Sequence, residues 1–276
     1  MPALPSYEHL LHRYRFDGSR QARLAQIDRD EPGSADLKAP AKQRRRENVQ
    51  VMAALQFRLY AESRRRLLVV LQAMDTGGKD GTIRRVFSGV NPQGCNVTSF
   101  GVPSEAERDH GFLWRIHRAI PRRGNIGIFN RSHYEDVGIV RVHGEIDEAT
   151  CARRYEQINR FERLIADADT TILKLFLHIS RDEQTRRLQK RIDDPERRWK
   201  LSDADLAERA RWDDYQRAYE DAINACAAPH APWFVIPANR KWYRNLVVSE
   251  LVRGTLEAMD PRFPEGRLKW DGLTLA

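Results

Sequence analysis

The chain has 276 residues, 41% of them hydrophobic, which suffices for one sizeable α/β domain or two small ones and excludes a globally disordered protein. Lysine and arginine outnumber aspartate and glutamate by 47 to 39, a formal charge of +8 that points to polyanionic partners (nucleic acid, acidic membrane, nucleotides or polyphosphate) without choosing among them. Cys95, Cys151 and Cys226 match neither a zinc spacing nor a secreted disulfide framework, the N-terminus lacks a signal-peptide core, and no apolar stretch approaches the ~18 residues of a membrane span, so a cytoplasmic protein with no membrane partner is expected.

In chain order, residues 1–40 mix Pro, Gly, Asp and Arg without sustained periodicity and read as an extended arm with short local helix at most. A helix is expected over Ala41–Arg64, where Val49, Met52, Ala53, Leu55, Gln56 and Leu59 set an apolar stripe at helical spacing. Leu67–Leu71 is a short continuous apolar run, the pattern of a strand buried on both faces, and similar runs recur at Asn96–Phe100, Ile126–Asn130, Thr171–Ile179 and Trp233–Pro237. Ser104-Glu-Ala-Glu107 and Ser180-Arg-Asp-Glu183 have the form of capping boxes and mark helix starts between strands. Alternating strands and helices imply an α/β fold: a central, mainly five-stranded parallel sheet covered on both faces, a three-layer α/β/α sandwich. Residues 181–200 carry eight lysines or arginines and almost no apolar face, so they read as a projecting flap. The expected organisation is an arm over 1–40 and a single domain over 41–276, with a lid insertion at about 181–211.

The run Leu67–Phe87 reads strand, Gly-rich turn, helix, which is the context of a phosphate-binding P-loop. Gly77, Gly78 and Gly81 let several backbone N–H groups aim at one anion, and the helix adds its positive N-terminal end. Lys79 would reach over the loop to the phosphates. The match to the Walker A form is imperfect: Ala73 takes the first glycine position, and Asp80 stands where a Ser or Thr would bind Mg²⁺. Asp75 is then the nearest substitute ligand, though it equally suits capping the turn through its own backbone.

A second strand, Ile126–Asn130, runs directly into the polar cluster Arg131, Tyr134, Glu135 and Asp136. Sites of open parallel sheets form at strand carboxyl ends, so this cluster should lie near the loop. Asn130 and the acids would orient Mg²⁺, and Arg131 would neutralise charge on the transferring group; a capped helix start with a local Arg–Glu pair is the bland alternative. His133 reads as a hydrogen-bonding bystander. Arg186, Arg187, Lys190 and Arg191 lie at spacings of one, three and four on one helix side, either simply solvated or closing as a lid over nucleotide and donor.

Together these motifs resemble the family-2 polyphosphate kinases. The resemblance covers roughly residues 45–255. It rests on Ala73, Asp75, Gly78, Lys79, Gly81 and Ile83 in the loop, on Asn130-Arg-Ser132 with Tyr134 and Glu135, on the lid-like stretch 177–202 with WDDY at 212–215, and on Ala231-Pro-Trp233. It implies a P-loop kinase-like fold that moves phosphate between inorganic polyphosphate and AMP, ADP or ATP (guanine nucleotides included) with Mg²⁺ or Mn²⁺. Asp75 would hold metal or orient phosphate, with Asn130, Glu135 and Asp136 as further metal positions. Lys79 would grip the donor phosphates, and Arg131 and Arg191 the transferring group. Thr76, Gly77, Gly78, Asp80, Gly81, Thr82, Asn130, Tyr134, Glu135, Arg186 and Arg187 would contact phosphate or nucleotide. Asn130, where diphosphate-preferring members tend to have Asp, resembles the subgroup that accepts both AMP and ADP. Arg64, Arg65, Arg84, Arg85, Arg122 and Arg123 are candidates for a basic polyphosphate track. An ATP-dependent nucleoside monophosphate kinase and a nucleotide-gated nucleic-acid-binding module are the rival readings; no nucleic-acid partner is expected, and a homo-oligomer, dimer or tetramer, is.

Overall fold

The computed structural model describes residues 4–31, 34–196, 198–200 and 203–266. Helix α1 (Tyr7–Tyr14) and strand β1 (Arg15–Phe16) precede the long helix α2 (Lys38–Glu62). Strand β2 (Arg66–Ala73) leads through the Gly-rich loop into α3 (Lys79–Val86), and β3 (Cys95–Ser99) follows. The short helices α4 (Glu105–Arg108) and α5 (Trp114–Arg118) lead to β4 (Ile126–Asn130). Helices α6 (Ile139–Val142) and α7 (Glu148–Asp167) return the chain to β5 (Thr170–His178). Helices α8 (Arg181–Asp193), α9 (Asp203–Ala210) and α10 (Trp212–Cys226) come next, and β6 (Trp233–Pro237) and α11 (Lys241–Met259) close the fold.

The strand order is β1-β6-β5-β2-β4-β3; β3, β4, β2, β5 and β6 are parallel, and β1 is antiparallel to β6. Period-two alternation divides β2 between two cores. Leu67, Val69 and Leu71 face a cluster with Met52, Leu59, Leu246 and Leu251 of α2 and α11. Leu68 and Val70 face the other, with Ile158, Phe161 and Ile223 of α7 and α10. Both layers bury Leu67–Leu71 completely, which is why that stretch is a continuous apolar run. Among the described residues, no helix is long and apolar enough to cross a membrane.

The sheet has a sixth strand that the sequence reading did not foresee. Phe16 pairs with Trp233, so the arm contributes an edge strand, and α1 before it buries Leu10 and Tyr14 against the body. Tyr7, Leu10, Leu11 and Tyr14 do carry a helical spacing, and Ser6 caps the helix by accepting from the His9 N–H; a two-residue strand leaves no periodic signal at all. The expected flap is also corrected. The first two turns of α8 do not project, since Glu183, Gln184, Arg187 and Leu188 are buried. The remainder of the expected lid includes residues 197, 201 and 202, which lie outside the described residues.

Candidate active site

The loop after β2 and the turn after β4 are brought side by side because Leu71 and Asn130 are paired neighbours in adjacent parallel strands. The loop backbone turns sharply: Thr76 has φ 60° and Gly78 φ 101°, the latter at the N-cap of α3. A Cβ on Gly77 would lie 2.4 Å from the Ala73 Cβ, so glycine there follows from a close backbone approach rather than from φ. Lys79 folds back over the loop, its Nζ donating to the Ala73 carbonyl at 3.3 Å. Arg131, with φ 65°, lies 3.8 Å from the Asp75 carboxylate. Asn130 Nδ2 donates to Asp80 Oδ1 at 2.9 Å, tying the end of β4 to the first turn of α3.

Burial pushes Lys79 below its ordinary value, against the pull of Glu135. Burial likewise raises Glu135, against Arg131 and Lys79. Arg131 is raised: burial opposes its charge, and Glu135 and Asp75 outweigh that. Two cations thus face carboxylates in a half-buried cleft, an arrangement in which incoming phosphates can replace carboxylates as the cations' partners.

The donor set also suits a hard cation. Gln72 Oε1, Thr76 Oγ1 and Asn130 Oδ1 are buried without a hydrogen-bond partner among the described residues, in or next to the same loop and turn that carry the Asp75 and Asp80 carboxylates. No three of His, Cys, Asp or Glu among the described residues close into a metal cage. An open array of oxygens fits Mg²⁺, which keeps several waters and shares one or two carboxylates with substrate phosphates.

Several expected site residues point elsewhere. Tyr134 is 2% exposed and turned into the core, its hydroxyl donating to Glu162 Oε1 at 2.9 Å and accepting from Lys174 Nζ at 2.9 Å. Its apolar ring leaves the irregular turn for the nearest core, so its expected nucleotide contact is corrected. Asp136 is buried against Arg115 at 3.4 Å, and its expected metal contact is corrected likewise. Thr82 is buried, its hydroxyl donating to the Gly78 carbonyl at 3.1 Å, so it secures the helix start instead of facing phosphate. Arg187 is buried behind the loop, donating to the carbonyls of Thr76 at 2.9 Å and Gly77 at 3.0 Å, and of Ala238 and Asn239. Arg187 therefore holds loop backbone, not nucleotide. Arg186 is exposed and paired with Glu183, while Arg191 is half-buried in the last turn of α8 and forms no ion pair among the described residues. His133 is buried and hydrogen-bonded to Glu162, as a bystander should be.

Sequence reasoning missed four contributors. Tyr219 donates to the Ala73 carbonyl at 3.2 Å, Gln184 to the Asp75 carbonyl at 3.2 Å, and Arg244 to the Gly77 carbonyl at 3.2 Å; Gln72 Nε2 donates to Ser132 Oγ at 3.1 Å. Only Gln72 carried a signal, as a polar residue ending a buried strand.

The basic track is corrected in part. Arg64, Arg65, Arg122 and Arg123 precede β2 and β4 and so lie at the sheet end opposite the loop, about 23 Å away along β2. Arg65 pairs there with Glu62 and Arg123 with Asp169. Arg84 and Arg85 remain on the loop's own helix, where Arg45 of α2 reaches the Arg85 carbonyl.

The family model described as Polyphosphate kinase 2 (PPK2) matches residues 36–264. The chain is 49% identical over 261 residues to an AMP/ADP-polyphosphate phosphotransferase of Meiothermus ruber, covering 92% of this chain and 96% of that protein. It is 45% identical over 232 residues to an ADP-polyphosphate phosphotransferase of Rhodopseudomonas palustris, covering 80% of each. The crystal structure of polyphosphate kinase 2 from Arthrobacter aurescens TC1 superposes with a TM-score of 0.91 at 41% identity, covering 98% of this chain and 96% of that one.

Proposed function

The chain belongs to the polyphosphate kinase 2 family, and we propose that it transfers phosphoryl groups between inorganic polyphosphate and adenine nucleotides, accepting AMP as well as ADP. The observation that carries this reading is the convergence of Lys79 and Arg131 on a Gly-rich loop that has Asp80 in place of a Walker-type hydroxyl, with Asn130 bonded to Asp80 at 2.9 Å.

Chemically, the attacking atom is a nucleotide phosphate oxygen. A phosphate monoester has a second pKa of about 6, so this oxygen is largely ionised at neutral pH and no strong general base is needed. The protein's task is then positioning and charge neutralisation in an in-line displacement. The loop and the N-terminus of α3 hold one phosphate of the donor, Lys79 the bridging charge, and Arg131 the group in flight. Arg191, in the last turn of α8, would meet the transferring phosphoryl beside Arg131, as the family resemblance implies. A divalent metal, Mg²⁺ or Mn²⁺, would be held through Asp75 with Asn130 and Glu135 and would neutralise charge across adjacent phosphates.

The donor track would run along α3 and α2, where Arg85, Arg45 and Arg46 crowd closely enough that Arg85 and Arg46 add to burial in lowering Arg45. A nucleic-acid reader finds less support: Tyr134 and Trp212 are buried, and Trp114 stacks on His110 and carries Arg118 over its ring. Self-association suits the apolar surface of Phe57 and Phe263, in edge contact at 5.7 Å, and of Val97 on the uncovered strand β3. Sedimentation at micromolar concentration decides that point, and a monomer would remove it.

Purified protein with Mg²⁺, long-chain polyphosphate and ADP should form ATP, and AMP should also be phosphorylated. An acceptor panel of AMP, ADP, GMP and GDP resolves base and phosphate number. No product with any acceptor, while ATP phosphorylates AMP, would replace this reading by the ATP-dependent kinase. Raising salt should raise the KM for polyphosphate far more than that for nucleotide, since a long polyanion engages many more charges; equal effects would count against the track.

A further inference from the structure

Arg244 stands in the first turn of α11 and is 2% exposed. Its Nη1 donates to the Gly77 carbonyl at 3.2 Å, and its Nε and Nη2 donate to Asn245 Oδ1 at 3.1 and 2.9 Å. A Cβ on Gly78 would lie 2.0 Å from Nη1, and one on Gly81 3.6 Å from Nη2, so the guanidinium sits directly behind the phosphate loop. Among the described residues no carboxylate forms an ion pair with it. The neighbouring Arg187 differs, since Glu183 lies 2.6 Å from its Nε.

A buried guanidinium without a counter-charge is among the costliest groups a fold can carry. Burial and Arg187 push Arg244 down to about 9 against a smaller pull from Glu183, the direction expected for a cation with no carboxylate in contact. Its position supplies a reason to keep it. By holding the Gly77 carbonyl on the rear of the loop, it fixes the peptide that turns the Gly78 N–H toward the opposite, phosphate-facing side.

We propose that Arg244 is a positioning residue for phosphoryl transfer, one that locks the rear of the loop and whose unpaired charge is balanced only when a polyphosphate anion fills the front. This inference rests on the phosphate-donor reading above, so wild-type transfer from polyphosphate is established first; its absence would fail that reading and leave nothing for Arg244 to assist.

The test compares Arg244→Gln, which keeps a donor without charge, with Arg244→Lys, which keeps charge without the planar fork. For each, kcat and both KM values are measured, together with thermal midpoints with and without tripolyphosphate. For Arg244→Gln, kcat/KM for polyphosphate should fall about 10- to 100-fold, with the nucleotide KM within about twofold. The midpoint without tripolyphosphate should hold or rise, because an unpaired buried charge is gone, while the increase on adding tripolyphosphate should largely vanish. Arg244→Lys should recover part of both. Wild-type kcat/KM in Arg244→Gln would overturn the proposal. So would a variant that loses activity only in step with its unliganded midpoint and keeps the full tripolyphosphate increase, since Arg244 would then serve the fold alone.

Discussion

Asn130 Nδ2 donates to Asp80 Oδ1 at 2.9 Å, joining the residue that ends β4 to the residue that replaces the usual metal-binding hydroxyl of a P-loop. The loop's departure at Asp80 is therefore answered by the amide that distinguishes the end of β4. The amide keeps Asp80 beside the loop without placing a second charge against it, and its own Oδ1 is left without a partner among the described residues.

Asn130→Asp should accordingly be costly at neutral pH. Two carboxylates at hydrogen-bond distance cannot both ionise readily, so one is forced to hold a proton or swing away. AMP phosphorylation should fall at least about tenfold at pH 7 and recover in part below pH 6, where a shared proton restores the bond, while ADP, the acceptor preferred where Asp stands at this position, should be largely retained. The pH–rate profiles of both proteins check this. A variant more active than wild type at unchanged Mg²⁺ would mean that the pair sits on the metal and gains from extra charge.

Lys79→Met keeps much of the apolar stem and removes the ammonium that folds back over the loop. Turnover should drop about 10²–10³-fold, the loss typical for one electrostatic contact to a developing charge. The thermal midpoint should not fall, because burial already holds Lys79 below its ordinary value and its charge is a burden on the empty fold. Retained turnover would remove the loop lysine from the mechanism.

Tyr134→Phe separates a substrate contact from a core contact. The hydroxyl bridges Glu162 and Lys174 in a fully buried cluster, and its loss removes one hydrogen bond from each, although the two stay paired at 2.6 Å. The cost should be about 1–3 kcal/mol of stability, near 2–4 °C in Tm per kcal/mol for a chain of about this size. Nucleotide KM should stay as in wild type. A raised nucleotide KM without a shift in Tm would return Tyr134 to the site.

These cases show what was legible in the sequence. The strands could be read because burial on both faces leaves unbroken apolar runs, and the loop because its glycines sit between a strand and a helix. The capping box at Ser104 is complete, with Glu107 returning the bond. At Ser180 only half of it forms, because Glu183 turns instead to Arg186 and Arg187. Side-chain direction in the irregular turn after β4 was not legible: no periodicity says that Tyr134 and Asp136 point inward while Arg131 points out. Arg244 was beyond reach for a different reason, since it meets Gly77 across 167 residues and only the packing of α11 on α3 joins them. The misplaced track residues were readable in principle, because arginines that precede parallel strands must lie at the end away from the site.

His178 gives a prediction about the arm. It is fully buried at the end of β5, with Nε2 2.9 Å from the Leu24 carbonyl, so a neutral ring donates to the arm and Nδ1 has no partner among the described residues. Burial and then Arg29 push it down to about 3. Between about pH 3 and its ordinary value of 6.5, the unfolded chain binds a proton that the folded chain refuses, so stability rises with pH across that window and is lost as acid is added. The slope is at most about 1.4 kcal/mol per pH unit. Going from pH 7 to pH 4.5, His178→Gln should lose about 2–3 kcal/mol less than wild type, because glutamine can donate to Leu24 without titrating. Urea unfolding at the two pH values measures the difference, and parallel losses would mean that the arm gives way before His178 is protonated in the folded state.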